Sequence, residues 1–199
     1  YTTNSGEVEN KGLDLDLSGN ILTGKLKWKA SGNISFNRNK VLSFDGQMQS
    51  FMGPSISAVN NQPLNIAKVG YPIGSFYGYK IDGIYQTQEE IDNGPVDPAN
   101  PVPGSFKFVD VNGDGSITDA DRTVIGNPSP DYIFGVNNDF TWKNFALNVF
   151  IQGSIGQDVV NVSRYYSDGL TRSTSSNVRQ EAWENRWTGP GTSNTYPVA

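Results

Sequence analysis

The run Leu13-Asp14-Leu15-Asp16-Leu17-Ser18-Gly19-Asn20-Ile21 and, after Leu22-Thr23-Gly24, the run Lys25-Leu26-Lys27-Trp28-Lys29-Ala30-Ser31-Gly32-Asn33-Ile34-Ser35-Phe36-Asn37 decide the fold class. In the first, the odd positions are apolar or glycine and the even positions are polar. In the second, Leu26, Trp28, Ala30, Gly32, Ile34 and Phe36 alternate with lysines, serines and asparagines. Successive side chains of a strand point to opposite faces, so each run has one apolar and one hydrophilic face. Leu22-Thr23-Gly24 is expected to join them as a hairpin turn.

A second pair is expected near the other end. Tyr132–Thr141 is strand-like with weaker alternation, and Phe145, Leu147, Val149 and Ile151 alternate with Ala146, Asn148, Phe150 and Gln152. Lys143-Asn144 reads as a tight turn in which Asn takes the positive φ. Aromatics at its flanks, Trp142 and Phe145, suit a membrane interface. A soluble β-sandwich also alternates. Against it stands length: the pattern holds from Lys25 to Asn37, whereas soluble strands commonly have about 5–6 residues. A transmembrane strand needs only about 9–11 residues with every second one apolar, and no run approaches the ~20 apolar residues of a spanning helix.

Composition narrows the chemistry. The 199 residues contain no cysteine and no histidine. Disulfides, thiolate zinc sites, cysteine nucleophiles, Ser-His-Asp triads and histidine-bound metals are therefore excluded from this stretch. Carboxylate-only glycoside hydrolysis remains open, but no acid pair with a cleft is visible, and we expect no enzyme. The net charge of −5 is uneven: residues 86–131 hold nine acids against only Lys107 and Arg122. That balance argues against nucleic acid and suits calcium. The chain opens at Tyr1 without Met or a signal segment and closes on the loop-like Thr195–Ala199, so both ends are expected to be cuts.

The long stretch from Arg38 to Asp131 is rich in Gly, Pro, Asn and aromatic residues. Thr87-Gln88-Glu89-Glu90 predicts a capping box and a short helix ending near Gly94. Pro95, Pro98, Pro101 and Pro103 predict an extended path. Asn177 and Gln180 are expected to cap a helix that presents Trp183 and Trp187 one turn apart. Gly74-Ser75-Phe76-Tyr77-Gly78 lacks the following helix of a phosphate loop. Tyr71, Phe76, Tyr77, Tyr79 and Tyr85 either stack on sugar rings or pack the loop against itself.

One motif carries metal chemistry. Asp110 to Asp121 fits the calcium-loop spacing, with oxygen donors at Asp110, Asn112, Asp114, Ser116 (carbonyl) and Asp121, Gly115 at the sharp turn and Ile117 as apolar anchor. The closing residue is Asp where Glu is usual, and Ser105–Val109 reads as a strand. Calcium is therefore expected to act as a structural staple; the alternative is an Asx-rich turn satisfied by its own backbone.

Several blocks, in order, resemble one family. They are Asn10–Asp14, Trp28, Gly32–Val41, Gly70–Tyr85, Pro103-Gly104, Asp110–Gly115, Asp121-Arg122, Ile125–Pro130, Tyr132–Gly135, Trp142–Phe145, Gln152-Gly153, Ala182-Trp183, Arg186–Thr188 and Tyr196-Pro197. Together they look like the late-barrel region of the SusC/RagA family of TonB-dependent outer-membrane transporters. The resemblance implies an all-β fold, part of a large transmembrane antiparallel β-barrel with long extracellular loops. Strands are expected at about residues 11–37 and 132–153, and extracellular loops at about 38–131 and 154–199. It further implies a multi-pass protein of a Gram-negative outer membrane that imports glycans or other oligomers. The implied partners are a SusD-like surface lipoprotein, an oligosaccharide or peptide substrate, outer-membrane lipid, and the TonB complex through an N-terminal part outside this sequence. The alternative is a secreted, calcium-stabilised glycan-binding β-protein.

Overall fold

The computed structural model describes residues 6–56, 61–169 and 177–199. In chain order the strands are β1 (Gly6–Thr23), β2 (Leu26–Phe44), β3 (Ser50–Met52), β4 (Ser55–Ile56), β5 (Gln62–Pro63), β6 (Asn65–Lys68), β7 (Ser75–Gly78), β8 (Ile81–Ile84), β9 (Phe106–Phe108), β10 (Thr123–Gly126), β11 (Tyr132–Trp142) and β12 (Phe145–Ile155). Three short helices complete the set: α1 (Gln88–Asp92), α2 (Val162–Ser167) and α3 (Gln180–Glu184). The protein is all-β in class, and the described residues fall into two units.

The first unit comprises described residues 6–53, 66–75 and 126–159. Its frame is a four-stranded antiparallel sheet in the order β1-β2-β11-β12. The alternation survives as register. Leu15 faces Ile34, Ile34 faces Phe134, and Val136 faces Ile151 across β11 and β12. One side of the sheet is apolar across all four strands, and the other carries Asp14, Asp16, Asn33, Ser35, Asn137, Asp139 and Asn148.

The strands outrun the pattern that announced them. β2 continues to Phe44, beyond the alternation that stops at Asn37. Leu22 and Thr23 belong to β1, so the turn is Gly24-Lys25. A bulge inserts Ile21 between the pairs Asn20–Lys29 and Leu22–Trp28. One extra residue reverses the side on which all later side chains emerge. Leu22, an even position, thereby joins the apolar side opposite Trp28. At the other turn the positive φ belongs to Lys143 (51°) and not to Asn144.

Beyond the apolar rows the sheet is locked by polar contacts. Arg38 donates to the carbonyls of Pro130 and Asp131 and pairs with the Asp131 carboxylate at 2.8 Å. Asn39 donates to Ser129 and accepts from the Ile73 amide at 2.7 Å. Val41 donates to Tyr71 and accepts from Gly70, and is buried. β3 pairs with β6 beside it.

The second unit comprises described residues 54–56, 61–65, 76–125, 160–169 and 177–199. Ile84, Tyr85, Ile117, Ala182 and Tyr196 are its buried apolar side chains. β8 pairs with β9. Thr87 caps α1 by accepting from the Glu90 amide, but Glu90 reaches back to the Gln86 amide and not to that of Thr87. α3 differs more: its N-cap is Arg179, which makes no side-chain cap, and it ends at Glu184. Trp187 therefore lies outside the helix that presents Trp183. A guanidinium has no acceptor with which to cap a helix, and Arg179 instead donates to Asp168 at 3.3 Å.

Candidate functional site

Two regions carry function-bearing chemistry: the two-faced sheet and the aspartate loop. The apolar side of the sheet is built by cross-strand aromatic contacts. Trp28 stacks on its partner Phe140, with ring centroids 5.5 Å apart. Phe134 lies over Gly153, where any Cβ would stand 2.4 Å from the ring. Such aromatic cover replaces the packing a glycine lacks. Asn138 is the one amide in these inner rows. Its Oδ1 accepts from the Trp28 indole at 3.0 Å, which satisfies a polar group on an apolar surface. Among the described residues nothing covers these side chains: Leu17 is 81% exposed, Phe145 71% and Leu147 60%. A soluble sheet buries such a face.

The opposite side is wired by polar contacts. Asn148 donates to Asn137 and Asp139, and Ser35 donates to Asp14. Phe150 and Ile133 are the large apolar exceptions on β11 and β12 there, and Phe150 is the aromatic one. Gly135 leaves room for its ring at the floor of a shallow depression flanked by Asn33 and Gln152.

In the aspartate loop the sequence-predicted donors fold onto their own backbone. Asp110 accepts from the amides of Gly113 (2.7 Å) and Gly115 (2.8 Å). Asn112 accepts from Asp114, and Asp114 accepts from Ser116, each at 2.9 Å. Gly115 has φ 82°, as the sharp turn requires, and Ile117 is buried as the anchor. Ser116 pairs with Val96 in a parallel bridge, a partner the sequence did not suggest. Asp121 is fully buried and accepts from Val111 (2.9 Å), Asn112 (3.3 Å) and Thr118 (2.7 Å), closing a capping box over the 3-10 turn Asp119–Asp121. Hydrogen bonds from the Thr118 amide first, then those of Val111 and Asn112, hold its carboxyl below the usual range against the opposing effect of burial. Among the described residues no three acidic side chains are gathered as metal ligands are. The donor types are nevertheless those of a hard cation, and at Asp110 and Asp114 a single contact leaves each carboxylate oxygen a further lone pair, whereas both oxygens of Asp121 already accept two hydrogen bonds each.

The aromatic set divides. Tyr85 is core, its hydroxyl pKa raised by burial and by the charges of Asp97 and Glu90. Tyr79 packs on Phe108 and donates to Asp119 at 3.0 Å; burial and Asp119 raise its pKa. Arg122 lies over Tyr77 and Tyr79. Tyr71, with Lys68 above its ring, stays exposed.

Sequence reasoning missed Gln86. Its amide nitrogen donates to the carbonyls of Ile84 (2.8 Å) and Ser193 (3.1 Å), and its oxygen accepts from the Trp187 indole (3.2 Å) and the Gly191 amide (2.8 Å). No local pattern marks a glutamine three of whose four bonds reach partners about a hundred residues away.

No protein-family profile matches the chain. Curated relatives do. TonB-dependent receptor P3 of Formosa agariphila is 33% identical over 196 residues, which is 98% of this chain and 19% of that protein. TonB-dependent receptor P26 of the same organism is 35% identical over 83% of this chain and 17% of its own length. TonB-dependent receptor SusC of Bacteroides thetaiotaomicron is 30% identical over 79% of this chain and 15% of its own. Among solved structures, the RagAB peptide transporter aligns with 98% of this chain and 20% of its own at a TM-score of 0.73 and 21% identity, a likeness of fold. These relatives and neighbours are named receptors and transporters, not enzymes.

Proposed function

This chain belongs to the family of TonB-dependent receptors that includes SusC, spanning about a fifth of the length of the curated relative it matches over 98% of its own residues, and on that premise we propose that it forms part of the wall of an outer-membrane β-barrel importer. The observation that carries the reading is the continuous apolar face across β1, β2, β11 and β12. From Leu26 to Phe36 the face runs ten steps along β2. At about 3.4 Å per step and a tilt of roughly 40°, that is a height of about 26 Å, close to the ~25 Å apolar band of outer-membrane barrels. Trp142, Phe145 and Lys143 mark its turn end, and Phe36 and Tyr132 its other end. The short turns then face the periplasm and the loops at about residues 38–131 and 154–199 face outward, because barrels of this kind keep their long loops outside.

In this reading the Asp14, Asn33, Asn137 and Asp139 side lines the lumen, and no residue of this stretch performs chemistry. The cargo is an oligomer, glycan or peptide. A SusD-like lipoprotein meets those outward loops, and energy comes from the TonB complex through another part of the receptor. Calcium stiffens the loop at Asp110, Asn112, Asp114, the Ser116 carbonyl and Asp121 by relieving repulsion among its carboxylates.

Single cysteines test the wall, since this stretch contains none. In the intact receptor in outer membranes, cysteines at Leu15, Leu17 and Ile34 should react with a lipid-soluble maleimide, and those at Asp14, Asp16 and Asn33 with a water-soluble one. Labelling without alternation overturns the barrel assignment. The calcium assignment has its own check. Proteolysis at Asp110–Asp121 should slow in millimolar calcium and speed up with chelator; indifference to both means a turn closed by its backbone alone.

A further inference from the structure

Where the apolar side ends, the same rows continue into charge. Two-residue steps lead from Leu13 to Lys11 and Glu9 on β1, and from Phe36 to Arg38 and Lys40 on β2. The register sets Lys11 opposite Arg38 and Glu9 opposite Lys40, so these four lie on the outward side directly beyond the last apolar pair, Leu13 and Phe36. Phe36 and Tyr132, with ring centroids 5.8 Å apart, form the aromatic edge beneath them.

Height decides what this patch meets. With the rise and tilt used above, Lys11 and Arg38 sit about 5 Å past the apolar edge and Lys40 about 10 Å past it. The polar headgroup layer of a leaflet is on the order of 5–8 Å thick. Lys11 and Arg38 thus lie within the layer that holds the lipid phosphates, and Lys40 stands just outside it, within reach of its own flexible stem. Two acids lie against these cations, Glu9 within the row and Asp131 just before β11. Glu9 pairs with Lys11 at 2.7 Å and Asp131 with Arg38 at 2.8 Å, which leaves a net positive patch with Lys40 exposed. Lys11 is itself 74% exposed in its side chain, so its remaining ammonium hydrogens face outward.

We propose that Lys11, Arg38 and Lys40 form a binding patch for phosphate groups of outer-leaflet lipids, fixing the depth of this part of the wall. Glu9 and Asp131 orient two of the cations, and Lys40 supplies the excess charge. The inference rests on the barrel reading.

Native mass spectrometry of the intact receptor, titrated with phosphatidic acid and separately with phosphatidylcholine, tests it. The wild type should bind the first phosphatidic acid more tightly than phosphatidylcholine. Lys11→Gln with Lys40→Gln should weaken that first binding by up to about fivefold per lysine, and leave phosphatidylcholine binding alone. Arg38 is kept in the variant because it holds Asp131. Lys27→Gln with Lys29→Gln, on the opposite side of the sheet, should change neither. Equal phosphatidic acid affinity in the wild type and the Lys11/Lys40 variant overturns the proposal. So does competition by millimolar inorganic phosphate, which would mean a site for a soluble anion. Either result, obtained with alternating cysteine labelling intact, sinks this inference and leaves the barrel reading standing.

Discussion

The four-stranded sheet and the second unit satisfy their polar groups in opposite ways. In the sheet the backbone is paired by the ladder, and the side chains are left to match what lies on either side. In the second unit side chains close the backbone: Asp110, Asp121, Gln86 and Asn194 supply bonds that a ladder would otherwise make. The sheet therefore depends on its surroundings for stability, whereas the second unit carries its own small core around Tyr85 and Ile117. A substitution in the sheet should act through sidedness and height. One in the second unit should act through lost internal bonds.

The largest effect is expected at mid-height. Leu17, Gly32, Val136 and Ile151 form one row across the sheet. Ile151→Arg should cost about 2–4 kcal/mol in the intact barrel, whereas Ile34→Arg, nearer the aromatic edge, should cost less. Gln152→Arg, one residue from Ile151 on the other side, should be nearly neutral. Denaturant titration of the refolded receptor in bilayers measures all three, and equal costs at positions 151 and 152 would erase the distinction between faces.

In the second unit, Gln86→Ala removes four hydrogen bonds from one part-buried side chain and should cost about 2–3 kcal/mol. Hydrogen exchange should then rise together at Ile84 and around Gly191. Exchange that stays local to residue 86 would show that the bonds are not cooperative.

The pH response should also separate the two regions. Asp121 has a depressed pKa in the folded loop. Its stabilisation is complete above the ordinary carboxylate value near 4 and disappears as pH falls through the lower folded value. Asp168 behaves alike: burial raises its pKa, but hydrogen bonds from Arg164 and Ser167 and the charge of Arg179 outweigh it. Acidification below about pH 4 should loosen residues 110–121 first, seen as proteolysis there. Asp121→Asn should flatten that dependence while losing stability at neutral pH.

The smallest effect is expected at Asn138. Its bond to Trp28 lies on the apolar face, which in the proposed barrel meets lipid, where such bonds contribute on the order of 0.6 kcal/mol. Asn138→Leu should be close to neutral in the bilayer. A loss above about 2 kcal/mol would mean that the indole is held for something other than stability.

What the sequence alone determined follows from a local cause. Period-two alternation in Leu13–Ile21 and Lys25–Asn37 reports the side on which each Cβ emerges, so the strands and their two faces could be read without knowing any partner. The Asp110–Asp121 spacing marked a turn for the same reason, since the amide contacts of the Asp110, Asn112 and Asp114 side chains span five residues or fewer. Tertiary structure alone decided the rest. The burial of Asp121 and Tyr85 and the hub at Gln86 depend on which other segment arrives opposite, while the bulge at Ile21 and the positive φ at Lys143 are set by how each hairpin pairs with its own near neighbour. Pairings such as Gln86 with Trp187 or Arg38 with Asp131 are settled by the closure of long loops, and local residue order does not encode where those loops return.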